Sequence, residues 1–441
     1  MSESQTIDEY KTLEPVHKNV ENKIAERASE AEDEYEPEQK NKWFNIYMTI
    51  IMSSGGVYFG YYIAIFNPMA EPLLNSVYDI KKTSQDEVKG NFNFFFAMGA
   101  LFSVMVSGWL SDNVGRMRML LIAELLALIT FVGYTIENIN ILYCVRVLSG
   151  IIAGFNTAIA QLALKEILPK KLIPFGGMVI YICSVSAILV VYSLSYIYDK
   201  QGLSEHWRFI LLIPVPITVI RAASFCFFNI ESPKYYFVRY KKFVAKEKSA
   251  VILQKIYQRH ETARILEEIE ACFEEEMSSK PTFSSLFKKQ YRQRLVAALI
   301  VNLGQQFSGI NYLIFYSTSI FNEVSGNGKQ ITFIMGIVKT FTGMIGTWAI
   351  QKFGRKPLLT FGALGQGISF FVLFAFLQLD LKHWIFLPVS TYLIGFALGL
   401  GATTLIYTVD ILPPNGVGLA LGVQWISTSL VGKYTPIFGA K

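Results

Sequence analysis

The sequence predicts an all-α polytopic membrane protein, and three observations carry that prediction. Of the 441 residues, 52% are hydrophobic and 17% charged, where soluble domains carry about 45–50% apolar and about 25% charged residues. The apolar residues are gathered into blocks of about 20 with short polar punctuation, the length a helix needs to cross about 30 Å of hydrocarbon. Lysines and arginines concentrate in alternate connecting segments, as expected of loops held on one side of a membrane.

Six apolar blocks come first, near Phe44–Phe66, Phe92–Leu110, Met119–Ile136, Ile141–Leu164, Gly176–Ile197 and Phe209–Phe228. After a charged stretch of about 60 residues, five more follow near Leu295–Phe315, Thr332–Ile350, Leu358–Leu377, Ile385–Val409 and Val417–Phe438. Six spans, a charged loop and five spans read as a duplicated six-helix unit whose twelfth helix is missing, either by truncation or as an eleven-helix variant. An odd number of spans would leave Lys441 opposite the N-terminus. The expected organisation is a disordered acidic tail over 1–42, a six-helix bundle over 43–232, an amphipathic helical loop over 233–292 and a second bundle over 293–441.

Arg116 and Arg118, then Lys165, Lys170 and Lys171, the bases between Lys234 and Arg294, and Lys352, Arg355 and Lys356 all fall on one side, together with the N-terminus. That side is expected to be cytosolic. The opening 42 residues are polar and acid-rich, as over Glu30–Glu36, and hold no apolar stretch fit for a cleaved signal peptide. Within Val238–Glu276, Val251, Ile252, Ile256, Ile265, Ile269 and Phe273 recur at helical spacing, which fits one or two amphipathic helices under the bundle; a solvated linker is the alternative. The net charge of +6 is spread over loops with no basic face and interleaved aromatics, which argues against nucleic acid as a partner. Cys144, Cys183 and Cys226 lie inside spans and Cys272 in the charged loop, so they read as packing residues, with neither disulfide framework nor metal spacing.

The strongest motif lies between spans two and three, from Gly108 through Asp112 and Gly115 to Arg116 and Arg118. A small Gly lets helices approach, the carboxylate can hold basic groups at a helix end, and Gly115 permits a tight turn. Gly354, Arg355 and Lys356 echo it at the matching place in the second half. Together these residues resemble the cytoplasmic gate motif of the major facilitator superfamily. Further segments narrow the resemblance to its sugar porter family: Arg146, Gly150 and Gly154 on span four with Glu166 to Pro169 at its end, Glu231 to Lys234 after span six, and Asp410 to Pro413 after span ten. The resemblance implies alternating access between two rocking halves, with Asp112, Arg116, Arg146, Glu166, Glu231, Arg355 and Asp410 in gating ion pairs, or else serving as static staples. It implies no enzymatic step and no cofactor. The absence of a P-loop, a nucleophile elbow and a metal-ligand cluster from the sequence agrees with this.

Span seven is the most informative for a solute. It carries Gln305, Gln306, Asn311, Tyr312 and Tyr316 inside an apolar run, and amides are costly in a membrane unless they meet a partner or an aqueous cavity. Amides both donate and accept, which suits sugar hydroxyls, and aromatic rings cover a pyranose face. The stretch is similar to the hexose-contacting helix of facilitative glucose transporters. That likeness implies solute contact by Gln305, Gln306 and Asn311, an outer-gate position for Tyr316 and a family aromatic at Trp425. Amides bonded only within the bundle are the alternative.

Several positions depart from the family pattern. Tyr62 stands where proton-coupled members have a carboxylate, and a phenol with a pKa of about 10 does not exchange protons near neutrality. Lys339 replaces an asparagine, Ala397 a glutamate, Leu405 a tryptophan and Tyr181 a glutamine. An ammonium within a span must pair, snorkel or meet an anion, so Lys339 either pairs within the bundle or contacts an acidic solute; Lys433 raises the same question. The expectation is a multi-pass carrier in the plasma membrane for a hexose or related sugar, by uniport. A proton symporter, a carrier of an acidic sugar or other organic anion, and a non-transporting sensor are the competing readings.

Overall fold

A computed structural model describes residues 37–78, 82–136, 138–202, 208–279, 286–381 and 384–439. Among these residues the chain is helical, with one isolated antiparallel bridge between Gln39 and Tyr257. Most of the expected acidic tail, residues 1–36, lies outside the described residues. The end of that segment is ordered: Lys40 N–H donates to Ile256 O at 3.0 Å and Gln258 N–H to Glu38 O at 2.9 Å.

The first group begins with α1 (Lys42–Ser53), α2 (Gly56–Ala64) and α3 (Phe66–Tyr78), which form one nearly continuous rod. Asn41 caps it, its side chain accepting from Phe44 N–H at 3.1 Å. There follow α4 (Lys82–Val114), α5 (Arg116–Gly133), α6 (Ile139–Ile167), α7 (Leu172–Lys200), α8 (Arg208–Leu211) and α9 (Val215–Phe228). The connecting segment holds α10 (Pro233–Arg239), α11 (Lys242–Ile256) and α12 (Thr262–Ser279). The second group comprises α13 (Lys289–Phe307), α14 (Ile310–Ser325), α15 (Gly328–Phe353), α16 (Arg355–Gln378), α17 (Phe386–Phe396), α18 (Ala402–Ile411) and α19 (Pro414–Gly439).

Eight helical segments among the described residues are long and apolar enough to cross a membrane. The other three expected spans, the third, seventh and eleventh, are helical too, in α5, α13–α14 and α19. Span three coincides with α5, which carries Arg116, Arg118 and Glu124. Span seven is not one rod, because Gly309 at φ +90 separates α13 from α14; span ten, one of the eight, is interrupted by a π segment at Ala397–Gly401, where Gly399 leaves helical geometry. Such interruptions are tolerated at membrane depth where they are buried in protein or line a cavity.

Packing follows the small residues. At the crossing of α4 and α6, a methyl group on Gly150 would collide with Phe96 O and one on Gly154 with the Ser103 hydroxyl, so only glycine allows the two backbones to approach this closely. Apolar residues expected on the connecting helices are buried at Ile252, Ile256 and Ile265, joining Met48, Met52, Leu120 and Phe155 in one cluster; Val251 instead points outward, 55% exposed. Lys246 pairs with Glu270 at 2.6 Å and Lys242 with Glu274 at 3.0 Å, which clips α11 to α12.

Candidate functional site

At one end of the bundle the motif residues converge. Gly115 takes φ +113, ψ 150 between α4 and α5, a conformation essentially restricted to glycine. The turn points the first N–H groups of α5 at the buried carboxylate of Glu231. Glu231 Oε1 accepts from Arg116 N–H at 2.8 Å, Met117 N–H at 3.2 Å and Ser232 N–H at 2.9 Å. The first two are orphan donors of the α5 N-terminus, whose dipole favours an anion. Burial pushes the Glu231 carboxyl above its ordinary range, while the backbone donors pull the other way. The Arg116 side chain, 3% exposed, meets Asp112 Oδ1 at 2.6 Å and Glu166 Oε2 at 2.7 Å and donates to Ser111 O at 3.1 Å. Ser232 Oγ donates to the same Glu166 carboxylate at 2.5 Å. In the second group Arg355 pairs with Asp410 in a more exposed setting. Each of these motif pairs stays within one group.

Arg146 is not brought to this end. It is fully buried in α6, with its guanidinium 4.4 Å from the centroid of Phe66 and 4.8 Å from that of Phe96. It donates to Tyr62 O at 2.8 Å and Phe92 O at 3.2 Å, tying α2, α4 and α6 together.

Deeper in the bundle, the break at Gly309 gathers the amides of span seven. Gln306 Oε1 accepts from Asn311 Nδ2 and, at 2.9 Å, from Thr428 Oγ1. Gln305 Nε2 donates to Leu400 O at 3.1 Å, and its Oε1 accepts from Gln424 Nε2 at 2.8 Å. The carbonyl of Leu400 belongs to the π segment, so the two helix breaks face one another. Gln306 and Asn311 are buried and Gln305 is half-buried. Trp425 packs edge-on to Phe59 of the first group at 6.1 Å and to Phe96 at 6.5 Å. Tyr316 donates to Gly432 O and accepts from Asn93 Nδ2 at 3.0 Å. Lys339, half-buried on α15, meets none of the amides.

At the end away from Gly115 the two groups are joined directly. Asn67 Nδ2 donates to Ser317 Oγ at 2.6 Å, Thr318 N–H to Asn67 Oδ1 at 3.1 Å, and Tyr192 OH to Ile314 O at 3.0 Å. Lys329 and Asp199 form an ion pair across the same end at 2.5 Å.

The profile of the family described as "Sugar (and other) transporter" matches residues 48–440, most of the chain. The chain belongs to that family. Among curated proteins it is 28% identical over 428 residues to facilitated glucose transporter protein 1 of Caenorhabditis elegans, covering 89% of this chain and 82% of that protein. It is 26% identical over 417 residues to the galactose-proton symporter of Escherichia coli strain K12, covering 89% and 85%. Among solved structures it matches the E. coli proton:xylose symporter bound to 6-bromo-6-deoxy-D-glucose with a TM-score of 0.74 and 21% identity, covering 91% of this chain and 90% of that chain. A partially occluded inward-open structure of that E. coli transporter gives a TM-score of 0.73 at 21% identity, covering 90% and 92%. The fold is therefore that of the major facilitator superfamily, and the relatives are transporters, not enzymes.

The structure of this family member also holds a polar site that the motifs did not single out. Glu124 on α5 and Arg221 on α9, both fully buried, form an ion pair at 3.1 Å. Tyr58 on α2 donates to Glu124 and shares a hydrogen bond with Thr218 at 2.6 Å. One signal was available in the sequence, since two opposite charges in separate apolar spans must each find a partner. Tyr62 shares a hydrogen bond with Thr130 at 2.8 Å. Lys433 lies 4.9 Å from the ring centroid of Phe94.

Proposed function

We propose that the chain carries a hexose or related sugar across the membrane by alternating access, as a facilitative uniporter. The observation that carries this reading is the amide cluster of Gln305, Gln306 and Asn311, set at a break in α13–α14 beside the break in α17–α18. These groups bond to one another, to Thr428 and to Gln424, and each hydrogen bond is exchangeable for one to a sugar hydroxyl of the same polarity. Similarity to a glucose transporter, a galactose-proton symporter and a xylose transporter supports a sugar as the solute class. Tyr62 supports uniport, since the position has no proton-exchanging carboxylate.

In this reading residues 43–232 and 293–441 are the rocking halves and 233–292 an amphipathic loop on the cytosolic face. The tail, residues 1–42, lies on the same face, and the plasma membrane is the assigned location, with the N-terminus cytosolic. The contacts of Asn67, Tyr192 and Tyr316 close the outer end. The Arg116–Glu166 and Arg355–Asp410 pairs, each within one half, gate the cytosolic end by exchanging partners as the halves meet. Ion pairs suit this role because their energy falls steeply with separation and is replaceable by hydration. Arg146 acts as a staple within the first half.

Proton symport is the second reading, favoured by the galactose-proton symporter relative. Uptake of labelled glucose and fructose in transport-deficient cells separates the two. Saturable hexose uptake that survives a protonophore and is lost in Gln305→Ala and Asn311→Ala supports the uniporter. Uptake that collapses with the protonophore supports the symporter, and no uptake despite correct membrane insertion refutes both.

A further inference from the structure

Among the described residues, Lys339 is a cation well inside a span whose ammonium meets no counter-charge. On α15, Phe341, Ile345 and Trp348 are 61%, 53% and 55% exposed and mark the outward face. At 100° per residue, Lys339 lies roughly opposite that face, in line with Thr332, Met335, Gly336 and Gly343. Those neighbours turn inward: Thr332 and Met335 are buried, a methyl group on Gly336 would sit 3.1 Å from the Tyr192 ring, and one on Gly343 would sit 2.7 Å from the Tyr181 hydroxyl. The lysine therefore projects into the bundle from a helix that packs against α7 of the first group and against α14 and the π segment of the second. Gln305 holds Leu400 in that π segment and Asn311 lies on α14.

Three other cations set inside the spans have partners among the described residues. Arg221 faces Glu124, Arg146 is bonded to two carbonyls and stacked between two rings, and Lys433 lies over Phe94. The carbonyl of Lys339 accepts from Thr342 Oγ1 at 3.4 Å, but its ammonium makes no hydrogen bond, ion pair or aromatic ring contact among the described residues, and the residue is half-buried, so it borders space inside the bundle. An ammonium held at membrane depth without a protein counter-charge is costly, and residues kept at that cost mark solute and ion pathways. A compact ammonium attracts a carboxylate or phosphate as a point charge.

We propose that Lys339 supplies an anion subsite beside the amide cluster, so that the preferred solute is a sugar bearing a carboxylate or phosphate, with its hydroxyls on the amides and its anionic group on the ammonium. This rests on the carrier reading above, and the experiment separates the two. Purified protein in liposomes is assayed for uptake of labelled glucose, glucuronate and glucose 6-phosphate, and for competition among them. The wild type is expected to take up one of the anionic sugars in preference to glucose, and which one distinguishes carboxylate from phosphate. Lys339→Asn is expected to lower that preference about tenfold or more, the effect of losing one charge-assisted contact, while Lys339→Arg keeps it. Glucose uptake with no anion preference, or a preference unchanged in Lys339→Asn, overturns the subsite and leaves the carrier reading standing. No uptake of any of the three sugars by protein that is monodisperse and inserted overturns both.

Discussion

Replacing Gly115 with alanine tests the claim that the turn between α4 and α5 is built around Glu231. The residue sits at φ +113, ψ 150, where a β-carbon costs about 1–3 kcal/mol. The added methyl would also overlap the Glu231 carboxylate, which accepts from Arg116, Met117 and Ser232 N–H groups. Displacing that carboxylate forfeits at least one hydrogen bond to a charged group, worth about 1.5–3 kcal/mol. The two effects together predict a loss of about 2.5–6 kcal/mol. At about 2 °C per kcal/mol for a large domain, the midpoint of thermal aggregation in detergent should fall by about 5–12 °C. Because such unfolding is irreversible, wild type and variant must be heated at one rate. Gly108→Ala is the internal control: it lies in the same motif and nothing crowds a methyl group there, so it should be neutral or stabilising by up to about 1 kcal/mol. Equal thermal stability of Gly115→Ala and Gly108→Ala would refute the role given to the turn.

Three further outcomes follow from the same geometry. Arg221→Gln leaves Glu124 buried without its counter-charge and should destabilise by about 3–5 kcal/mol, with the double change Glu124→Gln and Arg221→Gln recovering much of the loss; thermal midpoints in detergent check both. Hydrogen bonds from Lys242 and Lys246 hold the Glu270 carboxyl below its ordinary value, so the stabilisation it gives to α11–α12 is present above the unfolded-state pKa of about 4.3 and is lost as pH falls through the lower folded value. Amide exchange across Thr262–Ser279, compared between neutral pH and pH below that range, should show protection falling on acidification, and unchanged protection would contradict the clip. A disulfide between Asn67→Cys and Ser317→Cys, placed where those side chains now bond at 2.6 Å, should stop uptake until it is reduced, whereas uptake indifferent to oxidation would remove that end from the gate.

The spans were legible because a bilayer demands about 20 apolar residues and little else interrupts them. The breaks within them were less so. No proline or charged residue interrupts Gln305 to Phe315, and only the conformation at Gly309 shows that two helices meet there. Asp112, Arg116, Glu166 and Glu231 were readable as one cluster because each sits in a short motif at a span end. Arg146 was read with them, but it sits seven residues inside α6 among aromatic rings, a difference set by tertiary packing and absent from local pattern. Glu124 and Arg221 carry no motif; their pairing joins spans three and six and emerges only when α5 and α9 are packed together.

Equilibrium exchange of labelled glucose in liposomes containing the purified protein tests the central claim most directly, because exchange needs solute binding and alternation of the site but no driving gradient. The account predicts saturable exchange, unaffected by a protonophore and abolished by Asn311→Ala in protein that remains monodisperse and inserted. Exchange that persists in Asn311→Ala at the wild-type rate would contradict the placement of the sugar on the broken helix.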